Sequence, residues 1–368
     1  MIPIYYPAAS AVAAYLLSRL GLRFPARAEL QIRWRTSASG RKAPRVLVTG
    51  AAGFLGRAVV DALADDGKTV RAAMRFAPDP PLDGVQVVYQ PDLAKATDWR
   101  PLVRDVDTVI HLAGIEHGKR RANYNRINHA ATAQLAGAAR RAGVRHFVFV
   151  SSIRAQSGPT ADHALTERDA AAPSNAYGRS KLAAEEAVRA SGVPFTILRL
   201  APVYGPSMRG PLASLFRAAA SRWPLPVRDF TNRRSYLGLD NFISALRFVL
   251  VTPATTSQTY MVADPGVPPS TADLIATLRR ARGRRRFFLP LQFRFAEVPL
   301  RALHMGDLWD RYCGNLRVDP AKLIDAGWCP LHDTRAGFVA MVPNSSAPTR
   351  LTPPVAPQAP DRPQTQPG

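Results

Sequence analysis

Three side chains in this sequence are placed to do chemistry together: the hydroxyl of Ser152, the phenol of Tyr177 and the amine of Lys181. Tyr177-Gly178-Arg179-Ser180-Lys181 opens a helical pattern, so the phenol and the amine, four residues apart, share one helix face. A phenol of pKa about 10 is a poor base at neutral pH, and a neighbouring positive charge favours its ionised form and brings it into a useful range. Ser152 follows the apolar run Phe147-Val148-Phe149-Val150 and, from a strand end, would hold a reacting oxygen against Tyr177. Tyr-x-x-x-Lys alone is commonly a surface pair worth a few tenths of a kcal/mol. Its position downstream of a strand ending Ser-Ser, and of the glycine loop described next, favours the catalytic reading.

Such groups need a scaffold, and Arg45-Val46-Leu47-Val48-Thr49-Gly50-Ala51-Ala52-Gly53-Phe54-Leu55-Gly56 supplies its centre. An apolar run reads as a buried strand, and three glycines spaced by three carry the chain into a helix with Leu55, Val59, Ala62 and Leu63 on one face. Glycine permits the tight turn and the close approach of backbone to a dinucleotide pyrophosphate, and the helix N-terminus offers N–H groups to its phosphates. Further strands are predicted at Thr69–Arg75, Val85–Tyr89, Thr108–Leu112, Phe147–Val150 and Phe195–Leu198, with a long helix over Ala122–Ala142. These are continuous β-branched and aromatic runs, as in parallel strands covered on both faces. Their alternation with helices predicts an α/β fold: a Rossmann-type, doubly wound parallel sheet over 44–200. Beyond it, helices around Leu212–Ala220, Asn241–Leu250 and Ala272–Ala281 predict a smaller, mixed α/β substrate-binding lobe over 201–342. Residues 1–43 read as a basic N-terminal extension, loosely ordered, whose arginines offer contact with a membrane surface. Residues 343–368 read as a disordered, Pro-rich tail.

The Gly-x-x-Gly-x-x-Gly spacing and the Ser, Tyr and Lys trio resemble the extended branch of the short-chain dehydrogenases/reductases, the NAD-dependent epimerase/dehydratase family, over about Arg45 to Val342. The resemblance implies NAD or NADP held by Gly50, Gly53, Phe54, Leu55 and Gly56, with Tyr177 and Lys181 beside the nicotinamide. Asp92-Leu93 resembles the pair that contacts adenine, and His111-Leu112-Ala113-Gly114 the strand end where Leu112 and Ala113 line the cofactor. Pro202 and Val203, in the loop Leu198–Pro206, would meet the nicotinamide carboxamide. Asn128 falls where the family has an asparagine that bends a helix, and Arg234 where an arginine grips the diphosphate of a nucleotide sugar. Arg75, at the end of the second strand where an acidic residue would bind a ribose 2′-hydroxyl, leans toward NADP. The nearest groups are UDP-hexose 4-epimerases and UDP-4-keto-6-deoxyhexosamine 4-reductases of surface polysaccharide biosynthesis, so hydride would pass between the cofactor and C4 of a nucleotide-linked sugar. Ile153-Arg154 replaces the Asp-Glu pair of 4,6-dehydratases, which disfavours dehydration; Pro211 and Gly238 replace a common asparagine and histidine. Reduction of other ketones and a non-catalytic dinucleotide-binding accessory role remain the alternatives. A homodimer is implied as well.

Composition bounds the rest. The formal net charge of +22 comes almost entirely from arginine, yet no zinc finger, recognition helix or aromatic stacking module accompanies it, so no nucleic-acid partner is expected. Cys313 and Cys329 give neither metal-ligand spacing nor a disulfide framework, which points to a reducing, cytoplasmic compartment, peripheral at the inner membrane face if the extension binds lipid, and to no metal.

Overall fold

The computed structural model describes residues 45–342 except 77–83, 96, 117–121, 222, 224, 226–229, 285–308, 311 and 312. The extension over 1–43 and the tail over 343–368 lie outside the described residues.

The chain first forms β1 (Arg45–Thr49), α1 (Phe54–Asp65), β2 (Thr69–Met74), β3 (Val85–Tyr89) and β4 (Thr108–His111). A π-helical turn, Asn125–Ala130, then leads into α2 (Ala131–Arg141), followed by β5 (His146–Ser152), the short β6 (Ala164–Leu165) and α3 (Ala176–Ala190). After β7 (Phe195–Leu200) come β8 (Val203–Tyr204), α4 (Pro211–Ala220), β9 (Leu237–Gly238), α5 (Leu239–Val251) and β10 (Gln258–Val262). Later in the chain come α6 (Thr271–Ala281), β11 (Arg317–Val318), α7 (Ala321–Asp325) and α8 (Thr334–Ala340).

Seven strands make one sheet in the order β10-β7-β5-β4-β1-β2-β3, and every pairing is parallel. The chain winds outward from β1 through β2 to β3, then restarts on the other side of β1 with β4. That reversal opens a crevice beyond the C-terminal ends of β1 and β4, where ligands bind in such sheets. β1 is buried from Val46 onward and β5 through Phe147–Val150, as strands with helices on both faces must be. Apolar side chains from the two faces build two cores, one around Val48, Val60, Ile110, Leu198 and Phe242, the other around Leu47, Val109, Leu135, Phe147 and Ile197. A third core joins α4, α6 and α8 through Phe216, Leu274, Leu278 and Phe338.

Two departures from the sequence-based expectation matter. The pattern past Arg199 reads as loops and helices, yet β10 pairs along β7 from Gln258 to Val262 and completes the sheet. A five-residue strand at a sheet edge carries too little periodicity to stand out. The helix expected over Ala122–Ala142 runs through a π-helical turn at Asn125–Ala130, which side-chain pattern does not encode because each turn is set by backbone hydrogen bonding.

Candidate functional site

The glycine loop crosses the crevice from β1 to α1. Gly50 has φ of +71°, and a Cβ there would come within 2.8 Å of Ala113 N, so only glycine lets β1 leave the sheet this close to the end of β4. A Cβ on Gly56 would collide with Gly50 O, and one on Gly53 would meet the same oxygen at a tight 3.2 Å. No side chain caps the N-terminus of α1, whose N-cap is Gly53. Phe54 and Leu55 begin that helix; the Phe54 ring packs 3.2 Å from where a Cβ on Gly205 would lie, which brings the loop after β7 against the glycine turn. Gln90, which carries no signal in the sequence, is 7% exposed at the end of β3 and accepts the Gly50 N–H at 2.6 Å.

Around this turn stand the other cofactor candidates. Ala113 is buried and Leu112 packs against the first core. Leu93 packs into the second core, while Asp92 is exposed and accepts from Ala94 N at 3.0 Å. Arg75 falls just past the end of β2, exposed. Val203 pairs with Leu237, and Pro202 O accepts from Leu237 N at 3.0 Å.

The candidate trio of Ser152, Tyr177 and Lys181 assembles from two elements. Ser152 ends β5, half-buried, and its Oγ accepts the Arg154 N–H at 3.2 Å in the short turn that follows. Asn175 caps α3 by accepting from Gly178 N at 2.8 Å, so the helix starts a residue before Tyr177. Gly178 packs directly on Arg154 O, where any side chain would clash. That contact holds the turn after Ser152 against the turn carrying Tyr177, and Ser152 favours the ionised form of the Tyr177 phenol. Lys181, one helical turn on, is buried; its Nζ donates to Val150 O at 2.8 Å and lies 4.3 Å from the Phe149 ring centroid.

The electrostatics are those of a buried site. Burial, reinforced by the Glu116 carboxylate, raises the Tyr177 phenol well above its usual range, against the opposing effects of Ser152 and Arg154. Burial likewise lowers Lys181 to about 8, although Glu185 and Glu116 favour its charged form. Further along α3, Glu185 is fully buried and bound by Ser151 Oγ at 2.6 Å and Arg199 Nη2 at 2.6 Å. This network, absent from the sequence-based candidates, anchors the helix and β5 to each other.

Two further candidates are held by contacts of their own. Asn128 lies in the π-helical turn, and its side chain bonds Ile115 and Ser180 Oγ. Arg234 is 6% exposed, and its Nη1 donates to the carbonyls of Pro159, Asp310 and Gly314 at 3.2, 3.4 and 3.4 Å. These bonds tie its Nη1 to the backbone. Gly238 has a local cause: a Cβ there would come within 2.8 Å of His332 Cε1 and 2.6 Å of Asp240 Oδ1. His332, from a distant part of the chain, fills that space. Among the described residues no cluster of His, Cys, Asp or Glu is arranged to hold a metal, and no helix is long and apolar enough to cross a membrane.

The sequence profile of the NAD dependent epimerase/dehydratase family matches residues 46–263. The chain is 29% identical over 313 residues to a UDP-glucose 4-epimerase of Vibrio cholerae, spanning 81% of this chain and 94% of that protein. It is 33% identical over 210 residues to a ceramide reductase of Caulobacter vibrioides, spanning 56% and 61% of the two chains. Its fold matches that of a UDP-glucuronic acid 4-epimerase from Bacillus cereus, solved with UDP-glucuronic acid and NAD, at a TM-score of 0.65 and 22% identity over 81% of this chain and 97% of that one. The chain belongs to the NAD dependent epimerase/dehydratase family.

Proposed function

We propose that this family member moves a hydride between NAD and C4 of a nucleotide-linked sugar, with Tyr177 as general acid/base. The reading rests above all on the packing of the turn after Ser152 against the start of α3, where Gly178 meets Arg154 O and Tyr177 stands one helical turn from Lys181 at the C-terminal edge of the sheet. The glycine turn fits a dinucleotide on its own evidence of shape: a cradle closed to any side chain at Gly50 and Gly56, leading to a helix N-terminus without a side-chain cap. Gly50, Gly53, Phe54, Leu55 and Gly56 would hold the pyrophosphate end, Asp92 and Leu93 the adenine, and Leu112, Ala113, Pro202 and Val203 the nicotinamide end.

Ser152 would hydrogen-bond the C4 oxygen and hold it against Tyr177, which takes its proton as the C4 hydrogen leaves as hydride. Burial keeps the Tyr177 phenol protonated on its own, so ionisation needs positive charge close by. Bound NAD supplies that charge on its oxidised ring, together with the hydride acceptor. Lys181, charged below about pH 8, adds to it from the next turn. Return of the hydride to the other face of the 4-ketosugar gives epimerisation; reduction of a 4-ketosugar taken from solution uses the same residues. The Vibrio relative, matched over nearly its whole length, favours the epimerase, and UDP-hexose as its substrate class.

Cofactor identity follows the family, NAD; the lean toward NADP rests on Arg75 alone. Arg75→Glu should weaken NADPH binding more than NADH binding, as measured by titration. The main experiment is to purify the protein, extract any tightly held NAD, and assay interconversion of UDP-hexoses. Retained NAD with turnover that Tyr177→Phe abolishes supports the reading, whereas turnover unaltered in Tyr177→Phe sinks it and leaves a dinucleotide-binding accessory role. The Caulobacter match favours a second reading, reduction of a lipid-like ketone. Activity on a long-chain ketone, with none on any UDP-sugar, would establish it. The reading also takes 44–200 as the cofactor domain, 201–342 as the substrate lobe and the active species as a homodimer, which sedimentation tests. Contact of residues 1–43 with a membrane face is tested by vesicle flotation of the full chain.

A further inference from the structure

His111 is fully buried at the end of β4, and the protons around it can be assigned one by one. Thr132 Oγ1 lies 2.6 Å from Asn128 O, which only accepts, so the Thr132 hydroxyl proton points there. Thr132 then has only lone pairs to offer His111 Nε2, 2.8 Å away, and Nε2 carries the ring proton. Nδ1 is left as acceptor, taking the hydroxyl proton of Thr49 at 2.6 Å. Thr49 Oγ1 in turn accepts the Ala113 N–H at 3.3 Å. Every donor runs the same way, from Ala113 through Thr49, His111 and Thr132 to Asn128. The Asn128 side chain continues the frame: Oδ1 accepts from Ile115 N at 2.8 Å, and Nδ2 donates to Ile115 O at 2.9 Å and Ser180 Oγ at 3.0 Å. Ser180 passes its own proton to Tyr177 O at 2.7 Å.

The two ends of this frame are the two halves of the site. Ala113 forms the wall against which the glycine turn is built, and Tyr177 is the reacting phenol. We infer that His111 is a positioning residue, whose Nε2–H imidazole ties the strand end beside the glycine turn to the π-helical turn that supports Tyr177. The inference rests on the reading of Tyr177 as acid/base. Imidazole suits the task because its acceptor and donor lie on opposite sides of one rigid ring, whereas an asparagine or glutamine amide carries both at one end. Burial and the nearby Lys181 hold His111 down at about 3, so the ring stays neutral and keeps its acceptor. Rings of Phe147 and Phe149, at 6.1 and 5.7 Å between centroids, fix its plane.

Thr132→Val keeps the shape and removes the hydroxyl, while Thr132→Ser keeps the hydroxyl. Thr132→Val should lower kcat about ten- to hundred-fold, with KM changed by less than about two-fold, and Thr132→Ser should recover most of the rate. Thr132→Val combined with Ser180→Ala should lose no more than the worse single variant, since both cut one frame. Nitrogen-15 NMR of the wild-type imidazole should show a neutral Nε2–H tautomer, a readout that stands even if Thr132→Val does not fold. A fully active Thr132→Val beside an inactive Tyr177→Phe, additive losses in the double variant, or an Nδ1–H tautomer would each overturn the positioning role while leaving Tyr177 as the acid/base. Unaltered turnover in Tyr177→Phe would instead remove both readings together.

Discussion

At the scale of single residues, burial sets the terms. Lys181 is charged and enclosed, so its pKa of about 8 lies below the 10.5 of an exposed lysine. The unfolded chain therefore binds more protons than the folded one between those values, and stability rises as pH climbs from about 8 toward 10.5. Lys181→Met should accordingly gain stability over wild type at pH 7 and lose that advantage near pH 10.5, while turnover falls at both; melting curves at the two pH values check this. Gly56 has the opposite logic. A methyl there meets Gly50 O directly, so Gly56→Ala should cost about 1–3 kcal/mol by overpacking and weaken NAD binding, read by denaturant melts and cofactor titration. Both outcomes follow from residues legible in the sequence, Gly56 by its spacing and Lys181 by its partner Tyr177. Gln90, Thr49 and Thr132 were not legible, because a polar side chain within an apolar run carries no pattern of its own.

At the scale of elements, α8 is held by a stack and a pair. Phe338 is fully buried and lies 4.0 Å from the Tyr204 ring centroid and 5.2 Å from that of Phe216. Phe338→Ala should therefore cost about 3–5 kcal/mol, measured by urea unfolding. Beneath it, Asp264 accepts from Tyr204, Thr334, Asn241 and the Gly238 N–H, a buried carboxylate kept by four donors. His332 Nε2 sits 2.6 Å from Asp240 Oδ2. Burial alone would lower the His332 pKa, but the Asp240 hydrogen bond and charge raise it to about 9. A histidine raised in the folded state stabilises fully below its unfolded value of 6.5, and that contribution is lost as pH rises through about 9. The difference in melting temperature between wild type and His332→Gln should thus be largest below pH 6.5 and vanish above pH 9. His332 lies 94 residues from Gly238 (332 − 238), and its pairing was invisible in the chain.

At the scale of the whole molecule, the sheet and its ligand are thermodynamically one system. Because the crevice at β1 and β4 exists only in the folded chain, NAD at about 100 times its Kd should raise stability by about 2.7 kcal/mol. Thermal melts with and without NAD test this, and the shift should disappear in a Gly50→Val variant that closes the turn against Ala113.

By itself the sequence determined the parts whose physics is local. Glycine spacing specified a turn no other residue permits, apolar runs specified strands covered on both faces, and the four-residue interval placed Tyr177 and Lys181 on one helix face. The tertiary structure alone decided what depends on contacts between distant segments. It added β10 to the sheet edge, bonded Arg234 Nη1 to carbonyls far along the chain, and filled the space above Gly238 with His332. Only the packed fold gave His111 its tautomer, since each proton there is directed by a partner from another element. Local propensity acts over a few residues, whereas burial and the donor–acceptor accounting it imposes act across the fold.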